Sequence, residues 1–471
     1  MVRIASRERS KSYQLDFSKP FAVQWGETQV SENFRNDAYD MQDQRIANWL
    51  NQKLPPLFAD AIDIAAAAHC ADRLSLRGSK KGGWGRDLRL KIPVRCLPIW
   101  QSASVRDALF ETLQFLTQDN WQIDFDQKAG EFRQSESQEH LFEESEAQAV
   151  EVCLYSGGLD SFAGLATRIS EEPQHHYLCL SVTPNHRQRQ RQREQLAFLQ
   201  RELGAKITHI PVSYFLRDAE RHPQEPTRRT RGFLFGIIGG ITALMAGSST
   251  LHLYENGIGA INLPLDGSQI GIDKSRSVHP ITLRLLSRVL SLLGGQEFAI
   301  KNECFHLTKA EMCRHQAVKR ESSKIADTFS CDGFPVRRHK LAQCGFCTSC
   351  LLRRQALEAA ALAEFDGNDY GCDLRQDEPF QAHHLRALRA MNYQSNRLLN
   401  ALIAPNSWTA LCLEFPELRR LADSMANDST VTDIRDQLIR LYGQHVREWS
   451  SFSAHKHLQQ QSPTTVSTCV V

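Results

Sequence analysis

Val150-Glu151-Val152-Cys153-Leu154-Tyr155-Ser156-Gly157-Gly158-Leu159-Asp160-Ser161 is the stretch on which the fold turns. Val150 to Tyr155 reads as a strand, two glycines interrupt it, and Ser161 to Ser170 has the spacing of a helix. A strand that turns at once into a helix makes a backbone anion site. Glycines let amides approach an anion closely, and the unpaired amides at the helix start carry a partial positive charge in the same direction. Ser156 and Ser161 add hydroxyl donors. Asp160 would repel a phosphate, so a magnesium ion or a capping hydrogen bond must account for it. The simpler alternative is a serine-glycine turn in which Asp160 or Ser161 is an ordinary helix cap.

Outward from this turn, short apolar strands alternate with longer helices. His176 to Val182, Ile207 to Val212 and Thr250 to Tyr254 read as strands, while Gln188 to Leu203 and Phe233 to Ala246 read as helices. That alternation predicts an α/β fold with a parallel sheet covered on both faces, binding its ligand beyond the carboxyl ends of the strands. Upstream, Asp60 to Ala71 reads as an alanine-rich helix, and Leu88 to Val94 and Trp121 to Phe125 alternate like strands. Ser79-Lys80-Lys81-Gly82-Gly83-Trp84-Gly85 lacks the G-x-x-x-x-G-K-[S/T] spacing of a Walker loop and reads as solvated. The acidic, polar link that begins at Gln134 to Glu139 marks a boundary. The expected organisation is an N-terminal α+β accessory domain over residues 1–149, an α/β domain over 150–360, a helical region over 361–452, and a polar, disordered tail over 453–471.

With 471 residues the chain exceeds one ordinary domain, in keeping with that division. Its 56 basic residues nearly balance 54 acidic ones, so bulk charge gives no case for a nucleic-acid coat protein. Apolar runs such as Phe233 to Met245 fall short of the ~18 to 20 residues that span a bilayer. The charged start Met-Val-Arg-Ile-Ala-Ser-Arg-Glu-Arg is unlike a secretory signal, and a cytoplasmic location without a membrane partner is expected.

Of 13 cysteines, nine are scattered and four lie close together, which suits a reducing compartment and one metal site better than a disulfide framework. Cys331, Cys344, Cys347 and Cys350 form C-x12-C-x2-C-x2-C, and Gly345 suits the tight turn of a knuckle. Four thiolates fit tetrahedral Zn2+ with no open position, the pattern of a structural site. An iron-sulfur cluster also takes four cysteines.

The complete S-G-G-x-D-S string between strand and helix resembles the PP-loop of the adenine nucleotide alpha hydrolase-like ATP pyrophosphatases. In that family the loop holds the pyrophosphate of ATP while a substrate oxygen attacks the alpha phosphorus. The loop alone suits GMP synthetase, tRNA lysidine synthetase and tRNA thiolases equally. The second half narrows the choice. Leu307-Thr308-Lys309-Ala310-Glu311-Met312, then Thr328-Phe329-Ser330-Cys331, then Cys344-Gly345-x-Cys347-x-x-Cys350-x-x-Arg353 resembles the 7-cyano-7-deazaguanine synthase (QueC) family, over residues 150 to about 360.

Members of that family adenylate 7-carboxy-7-deazaguanine, let ammonia displace AMP, and adenylate the resulting amide again to reach the nitrile. The resemblance implies that Tyr155, Ser156, Gly157, Gly158, Leu159, Asp160 and Ser161 bind ATP with Mg2+, that Asp160, Ser161 and Lys309 serve catalysis, and that the four cysteines bind Zn2+. Lys309 would neutralise phosphate charge; as an exposed helical lysine it would need no role.

Two segments depart from the family pattern. Thr183-Pro184-Asn185-His186-Arg187-Gln188-Arg189-Gln190-Arg191 replaces Y-G-Q-R-H; its arginines either meet phosphate or RNA or form a solvated face. Pro226 to Phe235 stands where the family has an R-N pair, and the following strand ends in Glu255-Asn256-Gly257; both lie where a parallel sheet would place ligands. There Arg231 would meet a carboxylate or phosphate, and Glu255 or Asn256 would read a purine edge; a buried arginine-glutamate pair and a turn asparagine are the alternatives. The extra first domain resembles the longer QueC-like proteins of bacterial antiphage systems, including type IV CBASS and Qat. That branch implies transfer of the activated carboxyl to an amine on a co-encoded partner protein. Nitrile synthesis for queuosine biosynthesis, a PP-loop enzyme modifying tRNA, and a nucleotide-binding scaffold are the competing functions.

Overall fold

Five strands, Val150–Leu154, His176–Val182, Lys206–Val212, Thr250–Leu253 and Ala299–Asn302, form a parallel sheet. The structure, a computed structural model, describes residues 11–17, 21–25, 33–34, 39–77, 85–128, 134–137, 150–216, 225–265, 275–332, 343–368, 370–374, 381–426 and 430–453. The expected lysine-glycine loop at 79–85 (but for Gly85), most of the acidic link and the tail beyond 453 lie outside them.

In chain order the strands stand third, second, first, fourth, fifth across the sheet. The chain therefore winds outward from Val150–Leu154 on one side, then crosses back and winds outward on the other. Thr250–Leu253 and Val150–Leu154 are neighbours at the reversal. The connections leaving these two strands run to opposite sides, the arrangement at which open α/β sheets place a ligand, at the carboxyl ends of the strands.

Side-chain alternation divides the core. Cys153, Tyr155, Tyr177 and Cys179 face helices Leu159–Glu171 and His186–Leu203, where Phe162, Leu165, Leu196 and Leu199 complete one apolar layer. Val152, Leu178, Leu180 and Ile210 face the other way, onto helices Arg231–Met245 and Pro280–Gly294. Both faces are covered, as the alternation of elements requires.

The first part of the chain builds a second, mixed sheet. Asn33–Phe34, Phe21–Trp25, Lys11–Asp16, Arg86–Val94 and Asn120–Gln127 follow in that spatial order; the last three are mutually parallel and the outer two pair antiparallel. Helices Pro56–Leu74 and Ala103–Thr117 pack on it and, with their other sides, on Arg231–Met245 and Pro280–Gly294. One core consequently runs from Ile46 to Ile300. The boundary near residue 150 separates two sheets without separating two cores.

Charge also crosses that boundary. Arg86 is buried with Asp72 and Asp119, each at 2.6 Å, and Arg77 binds Asp119 with two nitrogens at 2.9 and 2.8 Å. Asp72 in turn accepts from the amide and hydroxyl of Thr230, just ahead of helix Arg231–Met245, at 3.1 and 3.0 Å. The Arg77 amide donates to Glu225 at 2.9 Å.

The C-terminal part is helical, as expected: Ala382–Leu402, Ser407–Glu414, Glu417–Met425 and Val431–Ser453. The last packs Leu441 and Tyr442 near Ala260 and Ile261, and Trp449 and Phe452 near Leu351 and Leu388. Among the described residues no helix is long and apolar enough to cross a membrane.

Candidate anion site and metal centre

The sheet hydrogen bonding continues one residue past the first strand, with the Tyr155 amide donating to the Leu180 carbonyl at 2.8 Å. Gly157 then takes a φ of +78°, left-handed backbone that favours glycine. The chain enters helix Leu159–Glu171, whose first backbone bond runs from Phe162 to Gly158. The amides of Leu159, Asp160 and Ser161 thus have no partner within the helix. Ser156 and Ser161 join their hydroxyls at 2.8 Å, and the Gly158 amide donates to Ser156 Oγ at 3.2 Å.

The seven residues read together as a nucleotide loop divide in two. Tyr155 and Leu159 anchor it: the Tyr155 ring is buried with its hydroxyl donating to Gln195 at 2.6 Å, and Leu159 packs against Cys313, Ile325 and Leu357. Ser156 is exposed and Gly158 half-buried, while Gly157 and Ser161 are buried, the Ser161 hydroxyl closing the hydrogen-bonded frame.

What holds the loop's carbonyls is a row of glutamines on helix His186–Leu203. Gln188 donates to the Ser156 carbonyl at 3.1 Å, Gln192 to the same carbonyl at 2.9 Å, and Gln195 to the Gly157 carbonyl at 3.3 Å. These positions are four and three residues apart, so they share a helix face. In the sequence they hide within the run of alternating arginine and glutamine, which a period-two reading treats as uniformly solvated. The structure sorts it by helical periodicity: Gln192 and Gln195 are buried, while Arg187 and Arg193 are exposed.

Asp160 is neither a cap nor solvated. Gly158 occupies the N-cap position without a side-chain bond, and the Asp160 carboxylate pairs with the Lys309 ammonium. The capping alternative for Asp160 and the exposed alternative for Lys309 are both corrected: Lys309 is 5% exposed. Thr308 and Glu311 form a capping box, Thr308 Oγ1 accepting from the Glu311 amide at 3.1 Å and the Glu311 carboxylate accepting from the Thr308 amide at 2.8 Å. The T-K-A-E string therefore fixes a helix start that places Lys309 at its first position. Burial acts against the Lys309 charge, but Asp160 and Glu255 outweigh it and raise its pKa. The other Asp160 oxygen, Oδ1, is buried and accepts from no fixed donor among the described residues, while the Glu255 carboxyl, when protonated, is within hydrogen-bonding reach of Asp160.

Glu255 follows the fourth strand and reaches the same place. Burial, then the neighbouring Asp160 charge, push its carboxyl well above the ordinary glutamate range, with Lys309 pulling the other way. Loop, lysine and glutamate thus come from the ends of the first, fifth and fourth strands and meet at the reversal point.

Two other expected contacts take different forms. Asn256 caps the short helix Gly257–Ile261, its Oδ1 accepting from the Gly259 amide at 2.9 Å and its Nδ2 donating to Glu255 at 2.8 Å. It is fully buried, so the turn-asparagine alternative describes it and the purine-edge reading is corrected. Arg231 lies 4.9 Å over the Phe235 ring, and among the described residues no side-chain hydrogen bond joins it to Glu255 or to the loop. Nearby, the Arg73 guanidinium donates to the main-chain carbonyl of Glu225 and the main-chain amide of Arg77 donates to the Glu225 carboxylate.

The four cysteines meet. Their sulfurs all lie within 4.8 Å of one another, with Cys344 to Cys350 at 3.8 Å and Cys331 to Cys347 at 3.9 Å. Four thiolates about 2.3 Å from one tetrahedral ion stand about 3.8 Å apart, so the cluster is compatible with zinc. An iron-sulfur cluster would wedge several atoms between the thiolates and spread them further. Amides of Cys347 and Cys350 point at the sulfurs of Cys344 and Cys347, at 3.3 and 3.4 Å. Gly345 has a φ of +85°, and a Cβ there would fall 2.0 Å from the Cys372 carbonyl. Only glycine closes this knuckle.

No protein-family model matches the chain, and no curated protein is detectably similar to it. The site must be read from its own geometry.

Proposed function

We propose that this protein uses ATP to adenylate the carboxyl group of 7-carboxy-7-deazaguanine and passes the activated acyl group to an amine, with the PP-loop fold as its scaffold. The observation that carries the reading is the meeting, at the sheet's reversal point, of a glycine turn whose first amides have no partner within the helix, a buried lysine and a buried aspartate oxygen without a fixed donor. Such a constellation suits a polyphosphate with its cation better than a neutral ligand.

In this reading the amides of Leu159 to Ser161 and the hydroxyls of Ser156 and Ser161 hold the pyrophosphate end of ATP. Lys309 supplies a fixed positive charge for the leaving group. A substrate carboxylate oxygen attacks the alpha phosphorus, the bond from that phosphorus to the bridging oxygen breaks, and pyrophosphate leaves. Negative charge that builds on the departing oxygen meets the loop amides and Lys309, where preorganised donors contribute most. Asp160 Oδ1 would hold magnesium, which would neutralise the phosphates. The amine then attacks the acyl carbon, the bond to AMP breaks, and the amine's proton leaves to water. Zinc in the knuckle, with all four positions filled by sulfur, has a structural part.

The N-terminal sheet and the C-terminal helices enlarge the protein around this sheet far beyond what ammonia needs, which favours an amine on a partner protein, as in the antiphage branch. Incubation with ATP, magnesium, 7-carboxy-7-deazaguanine and either ammonium or a glycine-initiated peptide, read by mass spectrometry, tests this. An amide adduct on the peptide is expected. A nitrile from ammonium would move the reading to nitrile synthesis, and absence of substrate-dependent AMP would overturn adenylation altogether.

A further inference from the structure

The segment Asp327 to Cys331 lies outside the glycine loop and ends in the first cysteine of the knuckle, so it touches both. At one end, the Phe329 amide donates to the Gly157 carbonyl at 3.2 Å, and the Phe329 carbonyl lies 3.3 Å from where a Cβ on Gly158 would sit. At the other end, Cys331 is one of the four sulfur ligands, and the Ser330 amide donates to the buried Gln343 at 3.2 Å, one residue before Cys344. Gln195 bridges the gap sideways. Its Nε2 serves the Gly157 carbonyl at 3.3 Å and the Asp327 carbonyl at 2.9 Å, and its Oε1 is held by the Tyr155 hydroxyl. A second connection runs through helix Thr348–Ala359. It carries Cys350 and, one turn later, the fully buried Arg353, which grips Thr328 Oγ1 at 2.6 Å and the Ile325 carbonyl at 2.8 Å.

A loop whose carbonyls are taken up from behind keeps its amides free on the other side. The groups that do this for Gly157 are Gln195 and Phe329, and Phe329 stands two residues from a metal ligand. Without the ion, four thiols in mutual contact have nothing to draw them together, and the strap loses one of its ends.

Resting on the reading of the loop as a polyphosphate cradle, we propose that Gln195 and the strap Asp327 to Cys331 couple the loop to the four-cysteine ion, so that metal occupancy and polyphosphate affinity strengthen each other. Gln195 is here a positioning residue: it acts through the loop's backbone and not on the ligand. Such coupling is reciprocal, because a ligand that binds more tightly when the metal is present must hold the metal more tightly by the same factor.

The full-length protein loaded with one zinc per chain tests this through metal release to a chromogenic chelator, with and without a saturating non-hydrolysable ATP analogue and magnesium. The analogue is expected to slow release on the order of 5-fold or more. Gln195→Met, which keeps the side chain's length but removes its amide, is expected to retain zinc and lose most of that slowing. The wild-type comparison decides even if the variant does not fold. Calorimetry separates the two ways of failing. An analogue that binds the zinc-loaded protein yet leaves release unchanged overturns the coupling, whereas an analogue that does not bind at all overturns the reading of the loop and the coupling with it.

Discussion

The arginine network of the N-terminal part and the Asp160, Lys309 and Glu255 cluster are both buried acid-base assemblies, yet their carboxylates fare differently. In the first, all four oxygens of Asp72 and Asp119 accept hydrogen bonds, from Arg77, Arg86 and Thr230. Burial alone would raise the Asp72 pKa, but Arg86 outweighs it and the net shift is downward. In the second, one Asp160 oxygen has no fixed donor among the described residues, and Glu255 beside it is driven toward its neutral form. Buried carboxylates whose oxygens are all satisfied offer nothing to an added cation and serve the architecture, even though Arg86 Nε meets no acceptor among the described residues. An incompletely satisfied carboxylate stores an affinity for whatever completes it.

Four changes would break or sharpen that contrast, and they descend in size. Arg86→Met leaves Asp72 and Asp119 buried with Arg77 as the cation near both, 3.9 Å from Asp72, and is expected to cost about 3 to 5 kcal/mol in urea unfolding. Asp160→Asn should behave in the opposite manner. AMP formation is expected to fall on the order of 100-fold or more, while the unfolding midpoint moves much less than for Arg86→Met, because Glu255 is at hand to ionise and balance Lys309. If Asp160→Asn unfolds as readily as Arg86→Met, the cluster is architecture and the contrast is gone.

Gly157→Ala comes next. It puts a Cβ 3.0 Å from Gln192 Cγ and forces alanine into left-handed backbone, at a cost of about 1 to 2 kcal/mol. The loss should appear as weaker ATP binding in calorimetry, with the melting temperature of the rest of the protein little changed. The smallest effect is that of Glu255→Gln. A carboxyl whose folded pKa lies above its ordinary 4.5 contributes fully to stability below that pH and loses its contribution as pH rises toward the folded value. The variant should therefore match wild type in urea unfolding near pH 4 and exceed it by a margin that widens toward pH 8. A margin that instead widened toward acid would mean that Glu255 is held ionised, as Asp72 is.

The sequence made the inner strands of the parallel sheet legible because buried parallel strands are near-continuous apolar runs, as Tyr177 to Val182 shows. Ala299–Asn302 escaped, since an edge strand of four residues with Lys301 and Asn302 carries no such run. The loop and the cysteines were legible because each is a local pattern. The Asp160 to Lys309 pair was not, for 149 positions separate the partners and nothing local joins them. The glutamine row was within reach: Gln188, Gln192 and Gln195 follow helical spacing, but the two-residue alternation of Arg187 to Arg193 masks it. Arg231 and Phe235, four apart on one helix, likewise announce a stacked pair more plainly than a ligand contact.

The single core shared by both sheets also bears on how the chain is made. Residues 46–125 cannot complete their packing until helix Pro280–Gly294 and strand Ala299–Asn302 have been synthesised, roughly 170 residues later, or about 10 to 30 s at usual rates of translation. During that interval the alanine-rich helix Pro56–Leu74 and the half-covered first sheet present apolar surface to the cell. The nascent chain is thus a client for chaperones over a defined window, and a slowed ribosome between residues 125 and 300 would lengthen the exposure without altering a single contact of the finished fold.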